Sequence, residues 1–260
     1  MLFIIQKEVN EKGLFVETAI IEDLVKNSKF SKHWIITMKN SDFFDNGKLK
    51  NKNDFKKEIQ NGIPFGTIEF TNNFLKIFHG IEKMNPIEIP KFLRTEEILK
   101  RKYNIVSYED LPKTGRYFVK NVSSLKQGTF SGDIEEMHDC GYFEKDCMYQ
   151  ISEIVNIISE YRVYILNGKI YAIAYYDGNP CVFPDVKLIE KINLMYSILK
   201  EYPKSYTMDV MVTDNGTALT EIHTFFSCGI YQSVLGTDFL NGYSDALEYV
   251  KKYNNVVEKS

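Results

Sequence analysis

The chain has 260 residues, 44% of them hydrophobic and 26% charged, which is enough apolar material to bury a full core. Lys+Arg number 32 against 35 Asp+Glu, a formal net charge of -3, so no whole-molecule positive field draws the protein to nucleic acid or to an anionic membrane. The longest apolar runs are strand-sized, far short of a bilayer span, and the start lacks the pattern of a secretion signal, so a cytoplasmic protein is expected.

In chain order, Leu2 to Gln6 predicts a strand, Glu17 to Lys26 a helix and His33 to Met38 a second strand, a β-α-β pattern. The Lys- and Asn-rich stretch from Asp42 to Lys57 reads as a solvated loop and helix face. A short strand is expected at Gly66 to Phe70, then a helical piece through Phe78. The two prolines of Met84-Asn85-Pro86-Ile87-Glu88-Ile89-Pro90 read as an extended connector, and the domain boundary is placed there. A helix from Thr95 to Tyr103 should follow. Strands then dominate: Arg116 to Val122, Met148 to Glu153, Tyr161 to Leu166 and Lys169 to Tyr175, with helices near Val186 to Lys200 and Gly236 to Lys252. This mixture predicts an α+β arrangement rather than a doubly wound sheet. Cys140, Cys147, Cys181 and Cys228 form no Cys-x-x-Cys pair and are expected as free thiols.

The chemistry concentrates near the end of this series. Tyr206 to Thr213 and Thr217 to His223 are β-rich runs around Asp214-Asn215-Gly216, a hairpin. A three-residue loop with Gly216 left-handed places Asp209 opposite Glu221, with His223 on the same face. A two-residue Asn-Gly loop would shift the register and separate the acids. Opposed carboxylates repel, so a bound cation explains the first register most economically, and a solvated hairpin face is the bland alternative.

Upstream, Lys120 shares an alternating face with Phe118 and Val122. The small, flexible run Ser123 to Gly132, containing Lys126, could fold its N–H groups over an anion. Neither a Walker pattern nor a paired-glycine dinucleotide fingerprint is present. Met148 to Val155 leaves a strand for an irregular stretch whose main-chain groups could bind a base edge. Glu160 and Arg162 share a face, as an acceptor for ribose hydroxyls beside a cation for phosphate, or as a plain surface ion pair.

The ordered series Phe118-Val119-Lys120, Lys126, Phe130-x-Gly132, Ser152-Glu153-x-Val155, Glu160-Tyr161-Arg162-Val163, Asn167-Gly168-Lys169 and Glu221-Ile222-His223 resembles the ATP-grasp superfamily. Within it, the series is most similar to a compact bacterial and phage clade marked by an arginine and two lysines. The resemblance implies an ATP-grasp fold over residues 86–260, with a nucleotide lobe at about 95–152 and a metal-binding lobe at about 153–260, preceded by a small α/β domain at 1–85. ATP would lie between the lobes. Lys120 would touch phosphate and adenine, Lys126 cover the phosphates, Gln150, Ile151, Ser152 and Glu153 hold the base through main-chain groups, and Glu160 hold the ribose. Arg162 would stand nearest the transferred group, and Asp209, Glu221 and His223 would hold Mg2+. His223 stands where the family has asparagine, and its imidazole weakens one magnesium site or shifts preference toward Mn2+; it can also serve as a phosphate donor. The implied reaction is carboxylate–amine or carboxylate–thiol ligation through an acyl phosphate, with unidentified substrates that include a peptide or protein among the options. A phosphotransferase and a non-catalytic ATP-binding protein are the alternatives.

Overall fold

The computed structural model describes residues 1–7, 9–10, 13–14, 16–27, 33–123, 128–199, 201–231 and 235–253. Strand β1 (Leu2–Gln6), helix α1 (Val16–Asn27) and strand β2 (Trp34–Met38) form the expected β-α-β unit. The third strand of this parallel sheet, β3 (Ile63–Phe65), lies on the other side of β1, giving the order β2-β1-β3. Both faces of β1 are covered. Phe3 and Ile5 enter one cluster and Ile4 another, which is why its apolar run does not alternate.

The strand expected at Gly66 to Phe70 is instead a turn leading into α2 (Ile68–His79). The Thr67 hydroxyl accepts from the Phe70 N–H at 3.2 Å, an N-cap that starts a helix, while the Thr67 N–H donates to Gln6 Oε1 at 2.7 Å. Phe70, Phe74 and Phe78 recur every four residues on α2 and pack with Ile4 and Phe43. The helix expected from Thr95 to Tyr103 is only α3 (Glu96–Leu99), because Lys100 adopts a left-handed φ of 53° and Tyr103 opens a strand.

A second sheet is antiparallel, in the order β6-β5-β7-β4, with β4 (Tyr103–Ser107), β5 (Arg116–Asn121), β6 (Thr129–Asp133) and β7 (Met148–Ser152). Part of the run read as a loop is therefore strand β6, followed by the short helix α4 (Ile134–Asp139). Val119, Tyr149 and Ile151 pack with Ile134 and Met137 beneath this sheet. The third sheet, also antiparallel, has the order β9-β8-β10-β11, with β8 (Ile157–Leu166), β9 (Lys169–Gly178), β10 (Tyr206–Thr213) and β11 (Gly216–His223). Helix α5 (Val186–Ser197) covers its back, where Ile189 and Ile192 meet Val163, Met208 and Leu219. Ile98 and Leu99 of α3, a segment the sequence assigns to the nucleotide lobe, belong to this same cluster.

The N-terminal sheet does not close its core alone. Phe3, Ile5 and Phe65 share one cluster with Tyr164, Phe225 and, from α6 (Asn241–Tyr253), Tyr243 and Val250. No helix among the described residues is long and apolar enough to cross a membrane.

The tightest contact in this shared core is at Gly242, where a Cβ would sit 2.3 Å from Cε1 of the buried Phe225 ring. Gly→Ala normally stabilises a helix, but here overpacking should cost about 1–3 kcal/mol. Gly242→Ala is expected to lower the thermal midpoint by several degrees in calorimetry, and an unchanged or raised midpoint would show that the ring can step aside.

Candidate functional site

Alternation along the third sheet sends Tyr161, Val163, Met208 and Val210 into the core. Glu160, Arg162, Asp209 and Met211 take the opposite face. The hairpin reaches this arrangement by a route the sequence did not suggest. Thr213 pairs with Gly216 across a two-residue Asp214-Asn215 loop, and the pairs Met211↔Ala218 and Val210↔Leu219 keep that register. Gly216 is left-handed, as expected, at a φ of 97°. Carried on, this register would set Asp209 against Thr220. A β-bulge between Asp209 and Val210 takes up Thr220 instead, and the pairing resumes as Asp209↔Glu221 and Thr207↔His223. The facing acids are thus restored by a bulge rather than by the loop.

Asp209 is 5% exposed and is clasped by Arg162, 6% exposed, through Nε–H to Oδ1 at 2.8 Å and an Nη2–H to Oδ2 at 2.7 Å. This fork-to-carboxylate geometry is the strong form of an ion pair. Arg162 also donates through Nη1 to the Gly229 carbonyl at 3.1 Å and lies over the Tyr231 ring, 4.9 Å from its centroid. Glu221 takes the Lys120 ammonium at 2.5 Å and the His223 Nε2 at 2.9 Å, while His223 Nε2 stands 3.5 Å from Asp209 Oδ2. Burial pushes the Asp209 carboxyl up, but Arg162 and His223 outweigh it and hold it below its ordinary value. Burial likewise opposes ionisation of Glu221, yet His223 and Lys120 bring it down to about 2. For His223 burial works downward and the two carboxylates, outweighing it, leave the imidazole raised. Burial raises the Glu160 carboxyl, which accepts from the Tyr176 hydroxyl at 3.2 Å.

Lys120 arrives from the second sheet. Its neighbours Phe118 and Val122 do share its face, but the core face of β5 is the one bearing Val119, and the Lys120 face is turned toward the third sheet. Between the sheets lies a cleft of about 250 Å³ lined by Lys120, Gln150, Tyr103, Glu221, His223 and Ser227. Beside it, toward residues 152–157, is an apolar slot of about 120 Å³ walled by Phe118, Ile154, Val155 and Met211. The hydroxyls of Ser152 and Thr220 line this slot, are buried and have no hydrogen-bond partner among the described residues. Arg101 lines it too, donating to the carbonyls of Leu99 and Leu219 at 3.3 and 3.4 Å, and burial lowers its pKa.

The base-holding role expected of main-chain groups from Gln150, Ile151 and Ser152 meets an obstacle. Strand β7 runs between β5 and β4 and pairs with both, so the backbone there is committed to the sheet, and the Ile151 side chain is in the core. The Glu153 N–H donates to the Lys102 carbonyl at 3.1 Å, so main chain free to meet a base begins only beyond it. Gln150 and Ser152 face the cleft and slot with their side chains. Lys126 lies outside the described residues. Sequence reasoning also missed Arg101, Met211, Thr220 and the Tyr231 platform. Arg101 sits within Lys100-Arg101-Lys102, which looks like a solvated helix end, and Thr220 acquires its place only through the bulge.

Asp209, Glu221 and His223 each offer a ligand atom within 4.8 Å of the others, and no other such group of three occurs among the described residues. Two carboxylates and an imidazole fit a divalent cation of the magnesium–manganese range. The slot with two unpaired hydroxyls fits a flat heteroaromatic ring bearing donors and acceptors. A family model for the ATP-grasp domain, the second family of the clade marked by an arginine and two lysines, matches residues 95–237, more than half of the chain. The chain belongs to that clade of the ATP-grasp family. No curated protein matches it. Among solved structures, this ATP-grasp protein is similar to D-alanine–D-alanine ligase from Bacillus anthracis complexed with ATP, at a TM-score of 0.52 and 18% identity over 100% of this chain and 98% of the other. It is also similar to a RimK domain ATP-grasp protein from Sphaerobacter thermophilus, at a TM-score of 0.51 and 9% identity over 96% and 98%. A third likeness is to the ATP-grasp ligase PsnB complexed with minimal precursor, at a TM-score of 0.51 and 7% identity over 95% and 99%. At these identities the likeness concerns the ATP-grasp fold, which the α+β chain shares with all three.

The lowered Glu221 value carries a stability consequence. A carboxylate whose folded pKa is about 2 and unfolded value 4.5 stabilises the fold fully above pH 4.5 and loses that contribution as the pH falls toward 2. In metal-free buffer, the thermal midpoint of the wild type should drop through this window and that of Glu221→Gln should drop less. Equal slopes for the two proteins would show that Glu221 is not held by Lys120 and His223.

Proposed function

We propose that this ATP-grasp protein is an ATP-dependent ligase that joins a carboxylate to an amine or thiol through an acyl phosphate, releasing ADP and phosphate. One observation carries it: the Asp209, Glu221 and His223 cluster of one sheet meets Lys120 of another across a cleft that continues into an apolar slot. In this proposal the slot receives adenine, with Ser152 and Thr220 supplying the hydrogen bonds they lack. Glu160 holds the ribose. Asp209, Glu221 and His223 hold Mg2+ or Mn2+, which when bound supplies charge that offsets repulsion between the incoming carboxylate and the phosphates.

The protein's own groups set the rest. Lys120 and His223 now neutralise Glu221, and both are cations that a polyphosphate would draw away, freeing the acid for metal. Arg162 keeps Asp209 ionised and aimed, and its position between Asp209 and Gly229 places a fixed positive charge beside the cluster. Lys126 and the loop around it are proposed, from the sequence, to cover the phosphates. Either substrate could be free or carried on a peptide or protein.

Glu221→Ala is expected to reduce metal-dependent ADP formation at least about 100-fold, the scale on which loss of one preorganised electrostatic contact acts. Asp209→Asn, which keeps the shape of a pair whose rupture by truncation would cost about 3–5 kcal/mol, should do the same while remaining folded. Full turnover in either variant would remove the proposed metal role. The imidazole at position 223 favours one second reading, ATP binding without turnover. Calorimetry with ATP and Mn2+ showing binding, with no ADP formed over a panel of acids and amines, would select it.

A further inference from the structure

A second cavity, of about 220 Å³, lies where the N-terminal sheet meets the third sheet. Its walls include Glu17 and Thr18 at the start of α1, Thr67 and Thr71 at the start of α2, and Tyr243 of α6. Ser227 lines both this cavity and the cleft holding Lys120 and Glu221, so the two spaces adjoin. The Gly229 carbonyl, on the same wall, accepts from Arg162 at 3.1 Å and from the Tyr164 hydroxyl at 3.0 Å. The working face of the third sheet therefore runs from Met211 at the apolar slot, through Asp209 and Arg162, to Tyr164 beside this cavity. A nucleotide whose base takes the slot leaves the far end to another substrate.

Two polar groups of the cavity are unsatisfied. Thr71 Oγ1 and Tyr243 OH, on residues 1% and 0% exposed, have no hydrogen-bond partner among the described residues. Burying such hydroxyls without partners is costly, so the protein groups around them leave an acceptor to be supplied from outside. Burial pushes the Tyr243 phenol well above its ordinary value, which keeps it a donor. Helix α2, twelve residues long, directs its N-terminus to the same space, and the first N–H groups of a helix have no partner within it. Donors and the positive end of a helix ask for an anion, whereas the carboxylate of Glu17 on the same wall asks for a cation. The volume, beside Phe65, Phe225 and Phe226, leaves room for little more.

We infer that this cavity binds a small α-amino acid as one of the ligase's two organic substrates, its carboxylate at the α2 N-terminus with Thr71 and Tyr243, its ammonium at Glu17. The assignment rests on the ligase reading above for the word substrate, and on the cavity alone for binding.

The test is calorimetric titration of the full chain with glycine, L-alanine and D-alanine, each with and without a non-hydrolysable ATP analogue and Mn2+, alongside N-acetylalanine and alaninamide. At least one free amino acid should bind. Thr71→Val and Tyr243→Phe should each weaken it about three- to tenfold, the span expected for one lost hydrogen bond. Thr71→Ser, which keeps the hydroxyl, should bind as the wild type does. Blocking either end of the amino acid should weaken binding as well: equal affinity for N-acetylalanine would reject Glu17 as the ammonium partner, and equal affinity for alaninamide would reject the helix as the carboxylate site. No binding by any of the three amino acids, or binding indifferent to both hydroxyl deletions, overturns the proposal. Failure of the analogue to bind, with the amino acid still held, strikes the ligase reading and leaves the cavity assignment standing.

Discussion

Everything in the cleft is referred to one buried ion pair. Arg162 and Asp209 come from adjacent strands, face each other in register and satisfy each other through two parallel hydrogen bonds, so neither charge is stranded in the interior. Because the guanidinium has donors to spare, it also fixes the Gly229 carbonyl, and with it the turn that separates the cleft from the second cavity. Such a pair is poor evidence for stability, since two apolar residues could fill the space at no greater cost. Its value is positional: it sets a carboxylate in one orientation, ionised, beside a second carboxylate.

The remaining charges are provisional by comparison. Glu221 is neutralised by Lys120 from another sheet and by His223 from its own strand, through contacts between partly exposed groups. A site built for a cation must hold two acids close together while empty, and the repulsion has to be met by something. Here it is met by side chains that can change allegiance, whereas Arg162 cannot leave Asp209 without abandoning buried charge. One acid is fixed and the other is exchangeable.

Much of this was visible in the sequence, and the misses have physical causes. The residues Lys120, Arg162, Asp209, Glu221 and His223 were singled out by residue type, spacing and resemblance, and they do meet in space. Alternation sorted the strands of the third sheet because each buries one face only. It could not reveal the bulge at Thr220, since a bulge leaves no mark beyond one residue too many in a register, and the correct pairing of Asp209 with Glu221 was reached from the wrong loop. The apolar face of β5 was read correctly as apolar, yet amphipathic pattern alone does not distinguish a core from a cleft that a ligand can fill. Main-chain binding by Ile151 failed for a topological reason: whether a strand lies at an edge or in the interior depends on pairing across forty residues. Helix α2 was displaced by a cap, because Gly66-Thr67 breaks a strand more strongly than Ile68 and Phe70 can extend it.

The cluster joining Phe3, Ile5 and Phe65 to Phe225, Tyr243 and Val250 bears on how the molecule is made. A β-α-β unit emerging first from the ribosome would ordinarily be expected to collapse on its own. In this protein the side of β1 bearing Phe3 and Ile5 has its lid encoded more than two hundred residues later, so during synthesis that surface stays apolar and uncovered until α6 is available. Completion of the first-made segment and completion of the wall of the second cavity are therefore the same event, which ties the opening of that cavity to the arrival of Tyr243.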